Sequence, residues 1–212
     1  MEAKKVIKVI NEVTDETFKI LKRIYDNQKE DKDNPKGNNG SRLIFPRYSE
    51  YRKKETRISE QELRFVFVEQ FNAYCAKNNL NWYYSVETPT EHKYVFGDKN
   101  DPHKAEASEK GQSAMVDLCI HNEKLERIAL VEFKALNPDK FCYKKDFCKL
   151  KAEKEGKPEL ETFFIMMVKS ADNGTLESIN AKIQKKAPQT IFRCYKLEGE
   201  GEDVTDVIIN FK

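Results

Sequence analysis

The stretch from Gln112 to Ser170 constrains the fold most tightly. Two apolar, β-branched runs, QSAMVDLCI and RIALVEFKA, are separated only by the polar turn HNEKLE. That pattern predicts an antiparallel hairpin. Next come PDKFCYKKDFCKLKAEKEG, a predicted helix stopped by Gly156, and ETFFIMMVKS, a predicted buried strand. A hairpin followed by a helical crossover requires a mixed sheet flanked by helices. Upstream, Ser59 and Glu62 form a predicted capping box that opens the helix SEQELRFVFVEQFNAYCAKNN. NWYYSVE then predicts a strand, and residues 97–111 a polar loop. Downstream lie a short amphipathic helix, GTLESINAKIQKK, and two predicted closing strands, QTIFRCYKL and VTDVIINF. From Ser59 the order is αβββαβ with further elements after it, an α/β class.

The N-terminal part reads differently. Val6, Ile10, Val13, Thr17, Leu21 and Ile24 follow the three-and-four spacing of an amphipathic helix. NQKEDKDNPKGNNGS then predicts a polar linker. Residues 1–40 are therefore expected as a helical extension, suited to docking or to a homodimer, and residues 41–212 as the main domain. Lys and Glu interrupt the N-terminal apolar positions, so a secretory signal peptide is not expected. The runs FVFV and FFIMMV fall far short of the roughly 20 residues of a spanning helix. Five cysteines, odd in number and without paired spacing, predict reduced thiols in a cytoplasm.

Two acids sit inside the apolar strands of the hairpin: Asp117 in AMVDLCI and Glu132 in IALVEFKA, with Lys134 two residues on. Side chains alternate along a strand, so Glu132 and Lys134 share one face. Burying a carboxylate is costly without compensation, and two together repel unless a cation lies between them. Magnesium accepts that arrangement, taking oxygen ligands and retaining waters. A two-residue turn (Glu123–Lys124) or a four-residue one (Asn122–Leu125) sets Asp117 opposite Leu130, on the face of Glu132 and Lys134. An odd turn puts it on the other face. No Gly-rich phosphate loop or nucleophile triad appears, and His92, His103 and His121 are scattered over predicted loops and turns.

VD followed by VEFK, within helix–strand–strand–strand–helix–strand order, resembles the PD-(D/E)XK, or restriction-endonuclease-like, nuclease superfamily over about residues 59–169. The resemblance implies that Asp117 and Glu132 hold Mg²⁺ or Mn²⁺ and that Lys134 assists the attacking water. A Glu on the first core helix often joins such a site; Glu62 is the choice here, with Glu60 and Glu69 as rivals. KKDFCKL looks like the basic helix common in these nucleases. Val116 stands where the family name has Pro, at a position that varies.

Charge clustering adds a polyanionic partner. SRLIFPRYSEYRKKETR holds six Lys/Arg against two Glu, and residues 134–154 hold seven Lys against three acids. These concentrate positive charge that the totals, 38 Lys+Arg against 36 Asp+Glu, conceal. Arg47, Arg52, Lys53, Lys54, Arg57, Lys144, Lys145 and Lys149 are the expected nucleic-acid contacts. The expectation is a Mg²⁺-dependent DNA endonuclease of restriction, defence or DNA-processing type, with DNA ahead of RNA as substrate. Two readings compete with it: a degenerate nuclease fold binding nucleic acid or a protein, and a buried ion-pair network with no metal.

Overall fold

A computed structural model describes residues 2–30, 41–49, 55–97, 101–184 and 189–211. The hairpin forms from β3 (Gln112–His121) and β4 (Arg127–Ala135), and β1 (Tyr83–Phe96) pairs antiparallel with the outer side of β3. Helix α3 (Lys140–Gly156) then carries the chain back, so that β5 (Glu161–Val168) lies parallel to β4. A second crossover through α4 (Asn173–Ile183) sets β6 (Ile191–Lys196) parallel to β5. Short strands β2 (Ala105–Ala107) and β7 (Glu202–Asp203) finish a seven-stranded sheet of order β2-β1-β3-β4-β5-β6-β7. The protein is thus mixed α/β, with β4 the boundary between an antiparallel and a parallel half.

Alternation along the central strands explains why both faces need helices. Every residue of β5 is buried. Phe163, Ile165 and Met167 join Leu118, Ile120, Val131 and Phe133 on one face, against Leu63, Phe67 and Phe71 of α2 (Glu60–Lys77). Phe164 and Met166 join Leu130 and Cys194 on the other, against Tyr143, Phe147 and Leu150 of α3 and Ile179 of α4. Among the described residues, no helix is long and apolar enough to cross a membrane.

Helix α1 (Glu2–Glu30) is no appendage. Val6, Ile10, Val13, Leu21 and Ile24 are buried in the same core as α2 and the sheet, and Phe18 stacks on Tyr195 of β6 with centroids 4.6 Å apart. Thr14 and Thr17 occupy the buried stripe by donating their hydroxyls to Ile10 O and Val13 O, at 2.6 and 2.7 Å. Gln28, also buried, clamps both backbone polar groups of Phe45. The amphipathic stripe is as expected; its partners are α2 and the sheet of the same chain.

Three local expectations differ from the structure. The predicted strand VTDVIINF contains helix α5 (Thr205–Ile209), because Val204 and Ile208, four apart, bury together while Asp203 accepts the Thr205 N–H at 2.8 Å. Tertiary packing there overrides a β-branched run. Strand β1 continues well past NWYYSVE to Phe96 with a register shift between Pro89 and Lys93. The buried carboxylate of Glu153 accepts from the N–H groups of Glu91 and His92 at that bulge, tying β1 to α3. The loop at 97–111 contains β2, paired with Tyr94–Phe96.

Candidate functional site

The turn of the hairpin decides which face Asp117 takes. His121 pairs with Arg127, leaving a five-residue turn, an odd count. A bulge between Ile120 and His121 adds the compensating residue, so that Ile120 faces Ala129 and Leu118 faces Val131. One step further, Asp117 stands level with Glu132, not opposite Leu130. It lies on the Cys119 side of β3, the side on which β4 presents Leu130, Glu132 and Lys134. The ladder ends at Leu118 and Val131; beyond it Asp117 Oδ2 accepts the Phe133 N–H at 2.8 Å. A side chain thus fills the place of a ladder bond where the strands fork.

Glu132 is 1 % exposed and Lys134 8 % exposed, both covered by α3. The side of α3 marked by Tyr143, Phe147 and Leu150 also carries Asp146 and Lys149 inward. Lys134 Nζ lies 2.8 Å from Asp146 Oδ2, and Lys149 Nζ lies 2.9 Å from Asp146 Oδ1. Lys149 also pairs with Glu132 and donates to Met115 O at 2.8 Å. From the N-terminus of α2, Glu60 Oε1 reaches Lys134 Nζ at 3.4 Å. Four elements therefore meet in one ionic cluster, which reaches solvent on the side of the half-buried Glu60 and Asp117.

Counted formally, Glu60, Asp117, Glu132 and Asp146 oppose two ammonium groups, leaving an excess of two negative charges. The imbalance shows in the proton affinities. Burial, then the charges of Asp146 and Asp117, push the Glu132 carboxyl well above the usual carboxylate range, against the pull of Lys149. Glu60 is raised by burial despite Lys134. Burial works against both ammonium ions, but the surrounding carboxylates more than offset it and raise Lys134 and Lys149. Glu132 Oε1 and Asp146 Oδ2 are fully buried and are met by ammonium groups without a well-aligned hydrogen bond.

Those features fit a small hard cation. The donors are carboxylate oxygens, two buried oxygens lack directed bonds, and a divalent charge cancels the formal excess. Among the described residues, no three His, Cys, Asp or Glu side chains are already gathered as a metal cage. Asp117 and Glu132 are the pair that would hold the ion.

The remaining sequence-predicted residues are placed as follows. Glu62 accepts from Ser59 N and Ser59 Oγ at the start of α2, with Arg57 Nη1 at 3.9 Å. Its carboxylate serves the cap, and Glu60 is the helix acid that enters the cluster. Glu69 is exposed on α2. Arg47 donates to Gln28 O at 2.8 Å, and Lys144, exposed, donates to His103 O at 2.6 Å. Lys145 lies over the rings of Phe141 and Phe96. Lys149 is turned inward rather than toward a surface partner. Arg52, Lys53 and Lys54 lie outside the described residues. No protein-family model matches the chain, and no curated protein or solved structure matches it.

Proposed function

We propose that the chain is a metal-dependent nuclease of the PD-(D/E)XK type, with Asp117 and Glu132 as the metal-holding pair and Lys134 as the third catalytic residue. The observation that carries this is the acid-rich cluster at the hairpin fork, with a formal excess of two negative charges: acids from two strands and a lysine two residues after one of them, all on one face. Asp117 and Glu132 would hold a divalent ion, which would supply a lowered water pKa and offset charge building on a phosphodiester. Lys134, kept protonated by Asp146 and Glu60, presents a fixed positive charge beside it. Such a preorganised charge orients a hydroxide and stabilises negative charge on phosphate oxygens. Asp146 bridges both lysines and is a positioning residue. DNA is the proposed substrate, with RNA second.

The ion pairs of Lys149 with Glu132 and Asp146 favour one competing reading, a degenerate nuclease fold whose own lysine closes the site. Incubation with supercoiled plasmid and with single-stranded DNA in Mg²⁺, Mn²⁺ or EDTA separates the two. Asp117→Asn and Lys134→Gln are the variants of choice, since Asn retains an oxygen to accept the Phe133 N–H. The nuclease reading requires metal-dependent cutting by wild type and a loss of at least about a hundredfold in both folded variants. Absence of cutting, with no heat of metal binding by calorimetry, overturns it.

A further inference from the structure

A groove of about 850 Å³ lies on the side of α3 turned away from the ionic cluster. Its walls are α3, the β2 strand and α4. The helical period separates the two sites: Asp146 and Lys149 point inward, while Phe141, Lys144, Cys148 and Lys151 line the groove. A lysine rim surrounds an apolar floor that includes Ala105, Phe147 and Ala152.

Most of the rim charge is not used up within the protein. Of its two acids, Glu106 is engaged at 2.9 Å by Lys104, which does not line the groove, and only Glu155 takes a rim charge, that of Lys151 at 3.8 Å. Lys144 and Lys182 instead hold neutral oxygens: His103 O at 2.6 Å for the first, and Asn137 Oδ1 at 2.6 Å and Pro138 O at 2.7 Å for the second. Lys140 makes no ion pair among the described residues. Phe141 and His103 meet edge to face with centroids 5.2 Å apart, forming an aromatic corner in the same wall.

We infer that this groove binds a single strand of nucleic acid, the lysines taking phosphates and the aromatic corner and apolar floor taking bases. A duplex keeps its base faces stacked inside and offers a lysine rim nothing but backbone, so the apolar floor has a use only for unpaired bases. The volume accommodates a few nucleotides, within the usual range of roughly 300–1,000 Å³ for ligand sites. Lys182 fastens the loop at Asn137 and Pro138, which follows β4 directly after Lys134 and Ala135. A strand seated in the groove therefore leaves it beside the C-terminal end of β4. The inference deepens the nuclease reading and rests on it for biological meaning, but not for its test.

Fluorescence anisotropy in EDTA, with the full chain and labelled oligothymidylate, oligouridylate or a duplex of equal length, measures binding without cutting. The expected result is that one or both single strands bind at least about tenfold more tightly than the duplex. Lys140→Gln with Lys151→Gln should weaken that binding and reduce the salt slope by about 0.7 per lysine. Phe141→Ala should weaken it by about tenfold while the circular dichroism spectrum stays unchanged. Lys19→Gln, exposed on α1, should bind like wild type. Equal affinity for the duplex, or affinity indifferent to the lysine and Phe141 substitutions, overturns the groove. Metal-dependent cutting with groove-independent binding removes the groove alone; groove-dependent binding without cutting removes the nuclease alone.

Discussion

Lys149 is the residue whose removal says most about the cluster. Its ammonium is the counter-ion of Glu132 and Asp146, all three less than a tenth exposed. Breaking a buried pair by deleting one partner costs about 3–5 kcal/mol, because the other charge stays buried and unmatched. Lys149→Met should lower stability in EDTA by about that amount, read from urea unfolding. A site built for a cation gains affinity when an internal cation leaves, so Mn²⁺ should restore a large part of the loss. Failure of Mn²⁺ to restore stability would mean that the carboxylates answer to lysine alone. Asp117, Glu132 and Lys134 were legible in the sequence because charges stand out inside β-branched runs. Asp146 and Lys149 were not, since KKDFCKL is charged at four of seven positions and a basic helix usually faces water. The available signal was Tyr143, Phe147 and Leu150: their stripe brings Asp146 and Lys149 under the same helix. Glu62 misled for a related reason. A capping carboxylate and a site carboxylate look alike in sequence, and only the Ser59 contacts tell them apart.

At the scale of elements, α1 shows how a correct periodicity leaves the partner undetermined. A stripe of Val6, Ile10, Val13, Leu21 and Ile24 requires burial but does not name the surface that supplies it. The polar segment after it suggested separation from the domain, whereas Phe18, Tyr25 and Gln28 fasten the helix to Tyr195, Glu198 and Phe45. Tyr25 makes that docking sensitive to alkali. Burial, then the charge and hydrogen bond of Glu198, push its hydroxyl from 10.0 up to about 12. Below the lower value the tyrosine is neutral folded and unfolded, so its contribution is fully present. Between the two values the unfolded chain releases the proton and the folded chain keeps it, so stability falls as pH rises. Urea midpoints of wild type should therefore decline across that window more steeply than those of Tyr25→Phe. Parallel curves would show that Tyr25 ionises with its ordinary affinity and that α1 docks without it. The hairpin teaches the same lesson at finer grain. Its two strands were legible, but an odd turn corrected by a bulge was not, and only their combination puts Asp117 on the face of Glu132 and Lys134.

Across the whole molecule, the cluster lies where the two halves of the sheet and helices from both faces come together. Asp117 belongs to the antiparallel half, Glu132 and Lys134 to the strand that both halves share, Glu60 to α2 and Asp146 to α3. The carboxylates Glu60, Asp117, Glu132 and Asp146 are at least 14 residues apart in the chain and come together only on folding, so a cation bound there binds the native state alone. Ligand held only by the native state stabilises it by RT ln(1 + [L]/Kd), about 2.7 kcal/mol at a hundredfold excess over Kd. The free energy of unfolding should rise logarithmically with Mg²⁺ or Mn²⁺ once the concentration passes Kd. Asp117→Asn should hold the line flat, while Lys140→Gln, on the far side of α3, should follow wild type. A flat response in wild type would leave the cluster as an ion-pair network complete in itself. Protonation of Glu132 would then be how the protein sheds part of its excess negative charge, and the metal-holding role of Asp117 and Glu132 would fall with it.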